Sequence, residues 1–442
     1  MDIKSKIAYY RQHAFVKNVL LLQSGSFAGN IIQALVGVFM ARLLQPELFG
    51  VYALAFSLAG LIGLFQGVGA QEAMATVLGE TYARKDTERT KEALAFLLKI
   101  ISITSAIAVA GALMAPWIAG KLYQNPHIGS YSAIIIVAVV FSTTFFSLSS
   151  LVLQVAGRIK AMMVLSLTDQ MVRYGLSVGF VFLGLGIWGA VSGHLAGAII
   201  VFIISLVIWE RLRRQYPIFP SLRKLFKQAK TVSLKKYLGF SLWIAVDRNV
   251  ASLYGILPVV LTGIYVSSTE VTFFKLALAF VNLALSLLGP VSTLLNVEFP
   301  KMKVEEASQL GKNFVRVSVY SLVLSMILTG AALLFAPLAF RFFYGESFMM
   351  SIKYVYGLFL YGALFGVGVG LGPMWRAVNK VKTSILINSI TLGAGIPLGL
   401  WLIKNHGLWG AVIMVTVWYS VSHFVSFFYL ARLLNSRQRH AY

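Results

Sequence analysis

Not one cysteine occurs in the 442 residues, so disulfides, thiolate nucleophiles and cysteine-ligated metals are all excluded. Histidine is nearly as scarce: six residues, scattered without the close spacing that metal ligation requires, so no metal and no cofactor is implied. Acidic residues number 15 against 38 Lys and Arg, and charged residues of either sign make up only 12% of the chain. No phosphate-cradling GxxxxGK[ST] loop is present, which excludes ATP hydrolysis by this chain. Large polar loops able to carry catalytic groups outside a membrane are missing as well, and the chain reads as a non-enzyme.

Apolar residues fill the space those absences leave. At 58% hydrophobic residues and a mean hydropathy of +0.80, the chain exceeds what a water-soluble core of this length needs. A bilayer asks for about 20 apolar residues per spanning helix. Twelve runs of that kind are read at 16–40, 47–70, 93–118, 129–155, 161–184, 187–209, 237–263, 269–297, 313–339, 352–375, 381–403 and 407–432. They are continuous rather than alternating in polarity, which excludes a membrane β-barrel. The first run follows Lys4, Lys6, Arg11 and Lys17, yet it is too long for a signal peptide and ends in no small-residue cleavage site.

Basic residues set the orientation. With charges in the first or last two positions of a run counted to the adjoining loop, the N-terminus, the connections after even-numbered runs and the C-terminus hold 28 Lys or Arg, and the other side holds five: Arg42, Lys121, Arg341, Lys353 and Lys404. Both termini are therefore expected in the cytoplasm. The net charge of +23 is then a topology signal spread over many membrane-edge loops, and it calls for no nucleic-acid partner.

The second half repeats landmarks of the first. Ile187-Trp188-Gly189-Ala190-Val191 returns as Leu408-Trp409-Gly410-Ala411-Val412, and Ala115-Pro116 followed by Tyr123 returns as Ala336-Pro337 followed by Tyr344, all 221 residues later. Ala53-Leu54-Ala55-Phe56 is echoed by Ala277-Leu278-Ala279-Phe280. Each repeat holds an even number of runs, so both enter the membrane from the same face. The expected fold is all-α and integral to the membrane: two pseudo-symmetric parallel six-helix lobes around a central cavity. We divide the chain into an N-lobe at 1–209, a basic connector at 210–236 and a C-lobe at 237–442. In the connector, Leu222, Leu225, Phe226 and Ala229 share one face and Lys or Arg the other. That pattern suits either an interfacial helix on an anionic leaflet or a solvated basic linker.

Polar stripes at helical spacing mark candidate cavity walls. Gln23, Ser26, Asn30 and Gln33 share a face of the first run, and Lys275, Asn282, Ser286, Gly289 and Thr293 share one of the eighth. Such stripes also serve as glue between helices. Charges inside the bilayer are more informative, because an Arg or Lys there costs roughly 2.5–3.5 kcal/mol unless it meets a partner or water. Arg248 lies 12 residues past Lys236, about 18 Å along a helix. Neither it nor Lys275 has an acid three or four residues away, so both are candidates to hold an anion. The alternative for Arg248 is an ion pair across the bundle with Asp247, Asp169 or Glu72. Arg173 has Asp169 one turn away and can pair locally.

Four-residue glycine spacing (Gly189, Gly193, Gly197; Gly362, Gly366, Gly370) suits close helix packing, and Pro258 and Pro290 should bend their helices.

The segment Ala41-Arg42-Leu43-Leu44-Gln45-Pro46-Glu47-Leu48-Phe49-Gly50-Val51-Tyr52 resembles the ARLLGPEEFGLYAL signature of bacterial Wzx-type polysaccharide flippases. These belong to the multidrug/oligosaccharidyl-lipid/polysaccharide (MOP) exporter superfamily, whose fold is that of the MATE transporters. Gly67-Val68-Gly69 with Glu72, the Ala-Pro pairs and the Trp-Gly-Ala pairs are similar too, and the resemblance covers the whole chain. It implies a bacterial inner-membrane flippase that carries undecaprenyl-diphosphate-linked oligosaccharide to the periplasmic leaflet by alternating access, for O-antigen, capsule or exopolysaccharide, with polysaccharide polymerase machinery as a further partner. Under that implication Arg248, Lys275 and Arg173 take the diphosphate and Gln23, Asn30, Gln33 and Asn282 meet the sugar. Asp169, Asp247 or Glu72 would carry the coupling ion. A multidrug or organic-cation exporter of the same superfamily is the nearest alternative, though it would favour an acidic cavity. A membrane polysaccharide polymerase or ligase is a third. The major-facilitator pattern Gly-x-x-x-Asp-Arg-x-Gly is absent between Gly79 and Glu92.

Overall fold

The computed structural model describes residues 14–305 and 307–439, and among them every regular element is a helix. In chain order these are α1 (Ala14–Gly63), α2 (Ala70–Ala83), α3 (Thr87–Tyr123), α4 (Pro126–Val155), α5 (Ile159–Phe180), α6 (Gly186–Gln215), α7 (Leu222–Thr231) and α8 (Lys235–Tyr265). There follow α9 (Ser268–Leu285), α10 (Gly289–Glu305), α11 (Ala307–Ala339), α12 (Ser351–Gly357), α13 (Phe359–Phe365), α14 (Leu371–Ala377) and α15 (Val381–Arg439). Among the described residues eight helices are long and apolar enough to cross a membrane, or nine with the bent pair Ser351–Gly357 and Phe359–Ala377 taken as one span. Three of these spans contain non-helical residues at Gln45, Gly184 and Gly407, where two helices meet end to end. Divided there, they are consistent with the twelve runs.

Two compact units make up the chain: the residues to Leu44 with Leu58–Arg248, and Gln45–Ser57 with Asn249 onwards. Their surfaces are apolar where lipid is expected. Leu113 and Trp117 are 81% and 64% exposed, and their counterparts 221 residues later, Leu334 and Leu338, are 82% and 67% exposed. Unpartnered apolar surface on that scale belongs in hydrocarbon rather than water.

Glycine explains much of the packing. A Cβ on Gly189, Gly193 or Gly197 would lie 2.5–2.8 Å from backbone or Cβ atoms of the preceding helical segment, so α6 rests directly on α5, as the four-residue spacing predicts. In the second unit Gly362 and Gly366 meet Thr329 and Ser321 of α11 in the same way, whereas Gly370 makes only ordinary contacts.

The repeat extends to the backbone. Gly186 (φ 53°, ψ −140°) and Gly407 (φ 56°, ψ −134°), 221 residues apart, adopt one conformation that side chains rarely tolerate. Each opens the helix carrying its Trp-Gly-Ala motif. Trp188 then packs edge-on to Tyr131 at 5.0 Å, and Trp409 lies 5.6 Å from Tyr354. The Pro46-to-Gly50 stretch also acquires a physical role. The Pro46 carbonyl accepts a hydrogen bond from Thr272 (2.6 Å), and a Cβ on Gly50 would collide with the Ser268 carbonyl at the start of α9.

Two expected helices are broken. The run at 47–70 stops at Gly63, because Gly67, Val68 and Gly69 take φ of 74°, 41° and 63°, and the chain resumes as α2. The run at 269–297 divides into α9, a 3-10 turn at Ser286–Leu288, and α10. Pro290 is the second residue of α10, where its missing N–H breaks no helical hydrogen bond, so it starts a helix instead of bending one.

In the connector, α7 turns its apolar side onto the first unit. Leu225 is fully buried and Phe226 lies 6.4 Å from Phe145. Lys99 donates to the Lys230 and Val232 carbonyls (3.3 and 2.8 Å), tying down the C-terminal end of the helix.

Candidate functional site

The interruption between α1 and α2 leaves backbone groups without helical partners, and side chains from three other helices take them up. The Gly67 N–H donates to Thr104 of α3 (3.0 Å), and the Val68 carbonyl accepts from Ser241 of α8. Gln66 directs its amide to Thr143 of α4 (2.9 Å), and its carbonyl accepts from Arg248 (3.5 Å). Arg248 also donates to Glu72 at 2.9 Å, with the two side chains 40% and 45% exposed. Glu72 lies in the first turn of α2, where the helix dipole favours a negative charge. Gly69 has to be glycine: its Cβ would stand 2.6 Å from the Ser241 carbonyl and 2.7 Å from the Ala245 nitrogen. Gln66, Gln71, Glu72, Thr143, Ser147 and Arg248 line a cavity of about 250 Å³ beside the break. Non-helical backbone of this kind at membrane depth occurs where it lines a cavity or is buried in protein, and in transporters it marks binding sites.

A second charged cluster lies deeper in the same unit. Arg173 donates from Nε to Asp169 (2.7 Å) and from a terminal nitrogen to the other carboxylate oxygen, a bidentate pair with both side chains largely buried. Its remaining edge faces His194 Nε2 at 3.1 Å. The glycines of α6 permit this: at Gly197 the helix backbone comes so near Arg173 that a Cβ would be 2.5 Å from its Cα.

The second unit has a larger cavity, of about 520 Å³, between α9, α10, α13 and α15. Tyr361 donates to Asn282 Oδ1 (2.6 Å), and Tyr419 packs edge-on between Tyr361 (5.0 Å) and His423 (5.6 Å).

The residues singled out by sequence thus separate into groups. Arg248 and Glu72 are brought together, as are Arg173 and Asp169. Asn282 lines the second unit's cavity. Lys275 is half-buried on α9 and, among the described residues, makes no ion pair or hydrogen bond. On α1, Gln33 reaches Gln170 of α5 at 3.5 Å, Asn30 is exposed and Gln23 half-buried. Asp247 is half-buried beside Arg248. Sequence reasoning missed Gln66, Thr104, Thr143, His194, Tyr361, Tyr419 and His423. The Gly-Val-Gly triplet inside an apolar run was the available signal for the first three.

The family profile described as polysaccharide biosynthesis protein matches residues 15–302. No curated protein sequence matches the chain. Solved structures match over nearly its whole length. An inward-facing multidrug resistance MATE family transporter of the MOP superfamily aligns at TM-score 0.72 and 16% identity, covering 92% of this chain and 95% of its own. An outward-facing structure of such a transporter aligns at 0.61 and 15%, covering 95% and 96%. A MOP superfamily transporter from Pyrococcus furiosus, described as having a binding pocket of reverse polarity that suggests a different function, aligns at 0.60 and 14%, covering 95% and 96%. At these identities the likeness establishes the fold. With the profile spanning well over half of the chain, this is a member of the polysaccharide biosynthesis protein family, a multi-pass membrane protein whose fold is that of the MOP-superfamily transporters.

Proposed function

We propose that the chain is a flippase for undecaprenyl-diphosphate-linked oligosaccharide. It works in the bacterial inner membrane with both termini cytoplasmic and delivers its cargo to the periplasmic leaflet by alternating access and to polysaccharide polymerase machinery beyond. The observation that carries this reading is Lys275: an ammonium on a membrane helix with no carboxylate against it among the described residues, in a chain of a polysaccharide biosynthesis family. A diphosphate satisfies such a cation. Arg248 joins it by exchanging the Glu72 carboxylate for a phosphate oxygen. Arg173 is the weaker participant, because its guanidinium is already engaged by Asp169 and His194.

Gln23, Asn30, Gln33 and Asn282 offer amides to sugar hydroxyls. The released Glu72 is the first choice for ion coupling, ahead of Asp169 and Asp247, since it alone is freed by substrate. The basic face of α7 rests on the anionic inner leaflet, where it joins the lobes at 1–209 and 237–442.

Replacing Arg248 and Lys275 together with Ala should leave the protein inserted and abolish surface polysaccharide. Wild-type polymer levels from that variant would contradict the assignment. Because the fold is shared with multidrug transporters, a drug-susceptibility screen of a deletion strain, run beside polysaccharide staining, separates the two classes of cargo.

A further inference from the structure

The two cavities draw on similarly placed stretches of the two units. Gly63, Gln66, Gly67, Val139 and Thr143 line the cavity of the first unit, and the residues 222 positions later, Leu285, Leu288, Gly289, Tyr361 and Phe365, line that of the second. The first carries an ion pair, Glu72 with Arg248. Among the described residues lining the second there is no Asp, Glu, Lys or Arg; its polar groups are Asn282, Ser286, Ser292, Tyr361, Tyr419 and His423.

From this contrast we infer that the second unit's cavity is a glycan subsite, taking a neutral sugar residue by aromatic packing and uncharged hydrogen bonds. The inference rests on the flippase reading and names where its sugar goes. A pyranose presents apolar C–H faces and a rim of hydroxyls, and here aromatic rings and amide, hydroxyl and imidazole groups share one wall. At about 520 Å³ the space falls within the roughly 300–1,000 Å³ of small-ligand pockets.

The wall is preorganised. By donating to Asn282 Oδ1, Tyr361 fixes the amide and leaves its N–H groups for a ligand. The His423 ring lies against Gly368, where a Cβ would come within 2.4 Å, and its Nδ1 is buried without a hydrogen-bond partner. An organic cation would find no carboxylate here and a diphosphate no Lys or Arg.

The absence of native cysteine makes the test direct. Ser292→Cys is introduced as the only thiol, and maleimide labelling of the purified full chain in lipid nanodiscs is timed. The probes are glucose, galactose, rhamnose and N-acetylglucosamine, with tetraphenylphosphonium and inorganic pyrophosphate as ionic comparisons. At least one neutral sugar should slow labelling about threefold once its concentration is twice its Kd. The ionic probes should not, and Ser130→Cys in the first unit should label at one rate throughout.

Adding Asn282→Asp should transfer protection from sugar to tetraphenylphosphonium, an outcome that a misfolded variant cannot give. Protection by no sugar, or equal protection by the cation in the parent, overturns the subsite. Complementation of a deletion strain keeps the two ideas apart. If the wild-type chain does not restore surface polysaccharide, the flippase reading fails whatever the cavity binds; if it restores polymer while no sugar slows labelling of the introduced thiol, only the subsite fails.

Discussion

The Arg248–Glu72 pair holds the α1–α2 break to α8, and a double-mutant cycle measures how strongly. At 2.9 Å and an effective dielectric of about 20, the bare attraction of two unit charges is about 6 kcal/mol. Water reaches both groups, at 40% and 45% exposure, so most of that is screened. A net coupling of about 1 kcal/mol remains, well short of the ~3–5 kcal/mol lost when one partner of a fully buried pair is removed. Arg248→Ala and Glu72→Ala are each expected to destabilise the protein by about 1–2 kcal/mol, and the double variant by little more than either alone. Unfolding of the purified protein in bicelles, followed by steric trapping, gives the four free energies. Strictly additive single effects, with a coupling under about 0.3 kcal/mol, would refute the pair as a structural tie. Exchanging the two charges should recover the stability but not surface polysaccharide, because the guanidinium then stands on the wrong helix for a phosphate.

Other perturbations test the remaining elements. Gly186→Ala and Gly407→Ala should each cost about 1–3 kcal/mol, and nearly the same as one another, because the dihedrals match and no atom lies within 4 Å of either added Cβ; unequal melting shifts would argue against a shared backbone device. Gly69→Ala should lower the melting temperature more than Gly67→Ala, since both have positive φ but only Gly69 faces backbone at 2.6 Å. Asp169→Ala should cost about 3–5 kcal/mol by stranding a buried guanidinium, and pairing it with Arg173→Met should recover most of that; no recovery would mean that His194 or Tyr174, not Asp169, sets the energetics.

Much of this molecule was legible in one dimension because lipid imposes a simple code. Apolar runs of spanning length gave the helices, and a 221-residue displacement gave the repeat, which reappears in the dihedrals of Gly186 and Gly407. Local pairs were equally readable: Asp169 and Arg173 are one helical turn apart, and the glycine stripe of α6 had to face a close neighbour. Long-range pairs were not. Glu72 and Arg248 are 176 residues apart, and sequence left Arg248 with three acids to choose from.

The break at Gly67-Val68-Gly69 escaped notice because hydropathy reads through it: valine is apolar whatever its φ, and only the fold imposes 41° on it. Likewise Pro290 interrupts a hydrophobic run, but whether it bends a helix or begins one depends on the 3-10 turn before it. The second unit's cavity was represented in the sequence reading only by Asn282 and its stripe, since Tyr361, Tyr419 and His423 come from helices whose register against α9 no periodicity reveals.

The most direct measurement is translocation itself. Purified protein is placed in liposomes carrying undecaprenyl-diphosphate-linked oligosaccharide in the outer leaflet, and loss of that pool to an external glycosidase is followed over time. Wild-type protein should make part of the pool inaccessible, and Arg248→Ala with Lys275→Ala should behave like protein-free vesicles. A wild-type protein that leaves the pool where it began, or a double variant that moves it at the wild-type rate, would contradict a flippase built on those cations.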